Sequence, residues 1–242
     1  MKKVLILTAG FGEGHNAAAR NLRDALELVS DDVKVEVLDL FETSYGSFNT
    51  FVKSAYLGMV QYAPKLWGGV YSLLDNSTFV ENRLGGFTKL KNALADILHE
   101  TQPDCVVSTY PVYGHVIKKI YANHHERPFK FITVVTDSIT VNSSWFRAPS
   151  DFFCVANDET AEVLKKGGVA KEQIKVLGIP VSPLFAENPN DLRAPIGDEP
   201  RRVLYVINTG KKKRATRLTG CWKLTTCISQ SPPGVTRNYA RN

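Results

Sequence analysis

Short aliphatic runs alternate along this chain with segments whose apolar residues recur every three or four positions. The runs Lys3 to Leu7, Val33 to Leu38, Asp104 to Ser108, Phe129 to Val135, Asp151 to Val155 and Ile174 to Val176 have the continuous apolar character of strands covered on both faces. Between them, helical spacing predicts helices over 14–30, 83–99, 112–123 and 158–166. Leu22, Ala25, Leu26 and Val29 mark the stripe of the first. Asn157 with Asp158 gives the last a cap-like start, and Gly167-Gly168 stops it. This rhythm predicts an α/β domain built on a Rossmann-like, mostly parallel sheet. The periodicity lapses after Gly178-Ile179-Pro180-Val181-Ser182-Pro183, which closes a first domain over 1–183. Residues 184–201, rich in Pro, Asn, Asp and Glu, read as a linker. Arg202 to Ile207 then starts a new buried strand, followed by Asn208-Thr209-Gly210, so 202–210 opens a second domain that is left incomplete.

Charge divides the chain in the same place. The formal net charge is +6, yet residues 211–242 hold eight Lys or Arg and no acidic residue, which leaves a balance of −2 over 1–210. The excess belongs to the tail, and no nucleic-acid partner is expected for the domain. From Lys211 onward the chain has no clear period and scatters Cys221, Trp222, Cys227 and Pro232-Pro233 among Thr, Ser and Arg. This aberrant composition reads either as a basic arm or as the product of a shifted reading frame. Cys105 and Cys154 lie in apolar runs, and no Cys-x-x-Cys or Cys/His spacing suggests zinc or a redox pair, so reduced thiols in a cytoplasmic protein are expected. No stretch approaches the length of a membrane span.

The chemistry concentrates near the amino terminus. After the first strand the chain reads Thr8-Ala9-Gly10-Phe11-Gly12-Glu13-Gly14-His15-Asn16-Ala17-Ala18-Ala19, a glycine-rich turn leading into a small-residue helix. Glycines let main chain approach a ligand closely, and the N–H groups of a helix start favour an anion or other acceptor group. A dinucleotide fingerprint is the rival reading, with Asp39 at the end of the second strand as its acidic residue. It fails because His15 stands where the third glycine belongs.

Tyr45 to Leu74 differ in kind. Phe48, Phe51, Tyr56, Met59, Tyr62, Leu66, Trp67 and Tyr71 are mixed with Lys53 and Lys65 and with no acidic residue. Such a segment lies in a lipid headgroup boundary, with Phe51, Lys53, Lys65 and Trp67 as its contacts, lines a pocket for an acyl chain, or packs on the sheet as a helical hairpin.

The opening Gly-x-Gly-x-Gly-His-x-x-Ala-Ala, Val135-Thr136-Asp137 followed by Trp145, the run from Asp151 to Asn157, and Gly178-Ile179-Pro180-Val181 occur in this order in glycolipid glycosyltransferases. Over residues 1–210 the chain resembles the N-terminal half of the monogalactosyldiacylglycerol synthase and processive diacylglycerol glucosyltransferase family. That resemblance implies the N-terminal domain of a GT-B fold, with two Rossmann-like domains facing across a cleft. It also implies a UDP-sugar donor, a lipid acceptor such as diacylglycerol, and a peripheral position at the inner face of the membrane. Relatives commonly place a histidine between the Val-Thr-Asp triplet and the tryptophan, where this chain has Asn142.

Inverting sugar transfer needs a base at the acceptor hydroxyl and dipolar or positive groups at the leaving diphosphate. His15, with an ordinary pKa of about 6.5, is the expected base, and Asp137 either competes for that role or orients the imidazole. Gly10, Gly12 and Gly14 are expected to shape the acceptor side, with Ser108, Thr109 and Trp145 as contacts. Asn208, Thr209 and Gly210 are expected on the donor side. Ser108-Thr109-Tyr110-Pro111 followed by Gly114-His115 is a further, weaker candidate, because hydroxyls at the end of a strand can face the same cleft. No acidic pair has metal-ligand spacing, and neither an obligatory metal nor a cofactor is expected. Two other classes remain open from the residues: a non-catalytic membrane or lipid-binding module, and a dinucleotide-dependent oxidoreductase.

Overall fold

The computed structural model of the chain describes residues 1–46, 88–123, 126–138 and 141–187. Six parallel strands form one sheet: β1 (Lys2–Thr8), β2 (Val33–Asp39), β3 (Cys105–Ser108), β4 (Lys130–Val134), β5 (Phe152–Val155) and β6 (Ile174–Val176), in the spatial order β2-β1-β3-β4-β5-β6. The described helices are α1 (Glu13–Val29), α2 (Thr88–Thr101), α3 (Val112–Ile120), α4 (Asp158–Lys166) and a single turn, α5 (Leu184–Glu187), with residues 40–46 also helical. The parallel α/β sheet expected from the apolar runs is present.

Alternation along β1 sends successive side chains to opposite faces. Leu5 and Leu7 join Val106, Phe131 and the α2 stripe of Leu90, Leu94 and Leu98, together with Tyr113, Val116 and Ile117 of α3. Ile6 turns the other way, onto Ala19 of α1 and onto Val107 and Val134. Ala18 and Ala19 are the buried residues of α1, and their small size lets the helix lie close to the strands. A further cluster of Val135, Trp145, Phe153, Val155, Ala161 and Leu164 seats α4.

Helix α4 begins where the Asn157 cap predicts: its side chain accepts from the Thr160 N–H at 3.0 Å. Asp158 and Glu159 in the first turn and Lys165 and Lys166 in the last complement the helix dipole. Gly167 is the C-cap and must be glycine because a Cβ there would collide with the Phe146 ring, and Gly168 then turns the chain at φ +93°. Other boundaries move. The helix expected over 83–99 runs from Thr88 to Thr101, residues 83–87 lying outside the described set. The one expected to 123 stops at Ile120, since Tyr121 leaves the helical region at φ −100°, ψ 19°. The linker expected from 184 starts with the turn of α5, closed by Phe185 N–H to Ser182 O at 3.0 Å and Ala186 N–H to Pro183 O at 2.8 Å.

Register sets where a site can form. Thr8 lies level with Asp39, Leu7 with Ser108 and Ser108 with Thr133, so the carboxyl ends of β1 to β4 share one edge. The loops after those strands meet there, the usual place for a crevice in an open parallel sheet. Among the described residues, no helix is long and apolar enough to cross a membrane.

Candidate functional site

The glycine turn is held from three directions. Asp39 Oδ2 accepts from the Gly10 N–H at 2.9 Å, while its Oδ1 accepts from the N–H groups of Phe41 (3.1 Å) and Glu42 (3.2 Å) and so caps the helical residues 40–46. Thr8 Oγ1 donates to Asn16 Oδ1 at 3.0 Å, and Thr109 Oγ1 donates to the His15 carbonyl at 3.1 Å. Tyr113, fully buried, donates its hydroxyl to Thr8 O at 2.7 Å and accepts from the Leu40 N–H at 3.2 Å. Burial keeps that phenol protonated, raising its pKa well above the ordinary value. Both oxygens of Asp39 are therefore engaged by main chain, and the acidic residue of the dinucleotide reading serves the loop itself.

His15 stands in the first turn of α1, at the lip of this loop. Its Nδ1 lies 2.7 Å from the hydroxyl oxygen of Thr136, in the loop after β4. The Tyr110 ring meets it edge-on at 5.2 Å, and the Trp145 ring lies 6.0 Å away. Burial lowers the His15 pKa below 6.5, with the charge of Asp137 and a hydrogen bond at the Thr109 main chain opposing that shift. The ring is held neutral near physiological pH, the state in which it can take up a proton.

Gly12 precedes α1 with an extended backbone, φ 175° and ψ 141°, which any residue adopts, and contributes no side-chain cap. A Cβ on Gly12 would lie 3.6 Å from His15 Cδ2 and 3.9 Å from Nε2, while one on Gly14 would meet nothing within 4 Å. These two glycines are required neither by strain nor by interior packing. Gly12 leaves bare main chain opposite the Nε2 edge of the imidazole.

The Asp137 carboxylate accepts from the indole N–H of Trp145 at 2.7 Å. It acts on His15 through its charge, and the group in direct contact with the ring is Thr136. Trp145 is 3% exposed and walls the histidine. It sits on a short 3-10 turn, Ser143–Trp145, that Asn142 caps by accepting from the Ser144 N–H at 2.9 Å. The buried His115 donates Nε2–H to the Ser144 carbonyl at 2.9 Å and fastens the turn to α3. Ser108 and Thr109 are also brought to this edge, but their hydroxyls are turned onto the main chain: Ser108 onto Tyr110 O at 2.7 Å, Thr109 onto His15 O. Asn208, Thr209, Gly210, Phe51, Lys53, Lys65 and Trp67 lie outside the described residues.

Sequence reasoning missed Thr136 and Phe11 and placed Tyr110 only within a weaker candidate stretch. Phe11 stacks on Tyr110, ring centroids 5.7 Å apart and planes at 17°, and both pack on Phe41 to form an aromatic side of the crevice. An aromatic residue between two glycines was a signal for Phe11. Thr136 stands inside the Val135-Thr136-Asp137 triplet, of which only Asp137 was given a role.

Fold and site together define an α/β domain with a histidine and a glycine turn at the carboxyl edge of a parallel sheet. Residues 15–181 match the monogalactosyldiacylglycerol (MGDG) synthase family, and the chain belongs to that family. It is similar to the chloroplastic monogalactosyldiacylglycerol synthase of Spinacia oleracea, 33% identical over 223 residues that cover 87% of this chain and 41% of the relative. It is likewise similar to the processive diacylglycerol beta-glucosyltransferase of Bacillus subtilis (strain 168), 26% identical over 212 residues covering 87% of this chain and 52% of the relative. The chain thus spans between two fifths and about half the length of these relatives.

Proposed function

We propose that the described domain is the acceptor-binding half of a GT-B glycosyltransferase that moves a hexose from a UDP-sugar to a lipid alcohol such as diacylglycerol, working peripherally at the cytoplasmic face of a membrane. The observation that carries this reading is the placement of His15: a neutral imidazole, fixed at Nδ1, whose Nε2 edge faces bare glycine main chain at the sheet's carboxyl edge. The names of the relatives supply the substrate class.

In the proposed reaction the acceptor hydroxyl gives its proton to His15 Nε2 as its oxygen attacks the anomeric carbon. The bond from that carbon to the diphosphate breaks, and the nucleotide leaves with the electron pair. The product is the glycoside, with inverted configuration, and the imidazolium returns its proton to solvent. Asp137 stabilises that transient positive charge, consistent with its upward pull on the His15 pKa.

The test is a titration of the chain with short-chain diacylglycerol in neutral micelles, following the His15 imidazole by NMR, with His15→Gln assigning the resonance. A saturable shift of His15 is expected, with none on adding NAD. A response to NAD, or vesicle binding that leaves the His15 resonance unmoved, overturns the reading.

A further inference from the structure

The Thr136 hydroxyl is 2.7 Å from His15 Nδ1, across 121 positions of sequence. A hydroxyl carries one hydrogen and two lone pairs, so two arrangements satisfy this distance. In one, Nδ1–H donates to Thr136 and the lone pair sits on Nε2. In the other, Thr136 donates to Nδ1 and Nε2 carries the hydrogen.

Only the first is compatible with proton uptake at the glycine side without rearrangement. Once Nε2 gains a proton, both ring nitrogens are donors, and Nδ1–H needs an acceptor. A Thr136 oxygen already accepting from Nδ1 keeps that bond through the change, whereas a Thr136 hydroxyl donating to Nδ1 would have to turn around. Catalytic groups act best when their partners need no reorganisation at the moment of reaction. A hydroxyl also orients the ring without the fixed negative charge of a carboxylate, which in direct contact would favour the imidazolium.

We propose that Thr136 is a positioning residue that holds His15 as its Nδ1–H tautomer and so directs the Nε2 lone pair at the space beside Gly12. The inference deepens the acceptor-site reading and rests on it for its functional meaning, although the tautomer itself is a property of the chain alone. Trp145 and Tyr110 limit the ring's freedom to tilt, and the 3-10 turn that carries Trp145 is fixed by Asn142 and His115. These packing contacts leave the choice of tautomer to the hydroxyl.

Long-range proton–nitrogen correlation of the imidazole distinguishes the two tautomers by the shifts of Nδ1 and Nε2. The intact chain is compared with Thr136→Val, which removes the hydroxyl and keeps the branched shape, and with Thr136→Ser, which restores it. The Nδ1–H pattern is expected in the native chain and in Thr136→Ser, with loss of that preference in Thr136→Val. An Nε2–H pattern in the native chain, or an unchanged Nδ1–H pattern in a folded Thr136→Val, overturns the assignment. If Thr136→Val does not fold, Thr136→Ala takes its place against the serine variant. Failure of the diacylglycerol titration would remove the functional reading while leaving this tautomer result intact, so the two are separable.

Discussion

The indole N–H of Trp145 donates to the Asp137 carboxylate at 2.7 Å, tying a buried aromatic ring to the loop that carries Thr136. Two effects are combined in that one side chain, and two substitutions separate them. Trp145→Phe keeps most of the apolar surface and removes the donor to a charged acceptor, an expected loss of about 1.5–3 kcal/mol. Trp145→Ala also opens a cavity against Val135 and Phe153, an expected loss of about 3–5 kcal/mol. Urea unfolding of both variants checks the order, and equal losses would mean that the apolar packing of the ring adds nothing measurable to the hydrogen bond.

Asp39 joins the glycine turn to the helical residues 40–46 through three main-chain N–H groups. Asp39→Asn leaves one carbonyl oxygen to serve them and sets an amide NH2 against one of the donors. The expected cost is about 1–3 kcal/mol, the range for a polar group left unsatisfied, with hydrogen exchange quickening at Gly10 or at Phe41 and Glu42. NAD should bind neither form. An Asp39→Asn chain as stable as the native one would show that these bonds contribute nothing.

Much of the fold could be read from residue pattern because parallel strands covered on both faces are apolar throughout, and because Asn157 is a strong helix start and Gly167-Gly168 a strong stop. The helical residues 40–46 were signalled as well, since Asp39 followed by Glu42 has the spacing of a capping box, but the run was passed over beside the strand. His15 was visible in the crevice loop for the same local reason. Its partner was not: Thr136 reaches it only through the lateral order β1-β3-β4, and the Val135-Thr136-Asp137 triplet does not itself say which side chain faces His15. Asn142, noted only as a departure from relatives, holds the Trp145 turn, a role that depends on the Ser144 N–H and not on spacing.

Gly12 should show stability and binding moving in opposite directions. Its extended backbone suits a helix N-cap, a position where serine is favoured and where this chain has no side-chain cap. Gly12→Ser should therefore hold or raise stability, by roughly a few tenths of a kcal/mol. The same Cβ would stand 3.9 Å from His15 Nε2 and narrow the space left for an acceptor hydroxyl. Thermal unfolding should show an unchanged or higher midpoint while the His15 response to diacylglycerol weakens at least about tenfold, a loss near 1.4 kcal/mol. A serine variant that binds as the native chain does would remove Gly12 from the acceptor side.

The imidazole of His15 gives the folded chain a pH dependence of definite sign. Burial holds its pKa below 6.5, the charge of Asp137 and the Thr109 main chain offsetting part of the effect. Between that lowered value and 6.5, the unfolded chain binds more protons than the folded one, so stability falls as pH falls through this window. The contribution is absent above it and complete below the folded-state value. His15→Gln removes the contribution, so unfolding free energies from about pH 7 to about pH 5 should decline more steeply for the native chain than for the variant. The two proteins differ only at position 15, so the difference between their curves isolates this side chain. Parallel curves would mean that His15 titrates alike folded and unfolded, and the neutral base at the crevice lip would lose its physical support.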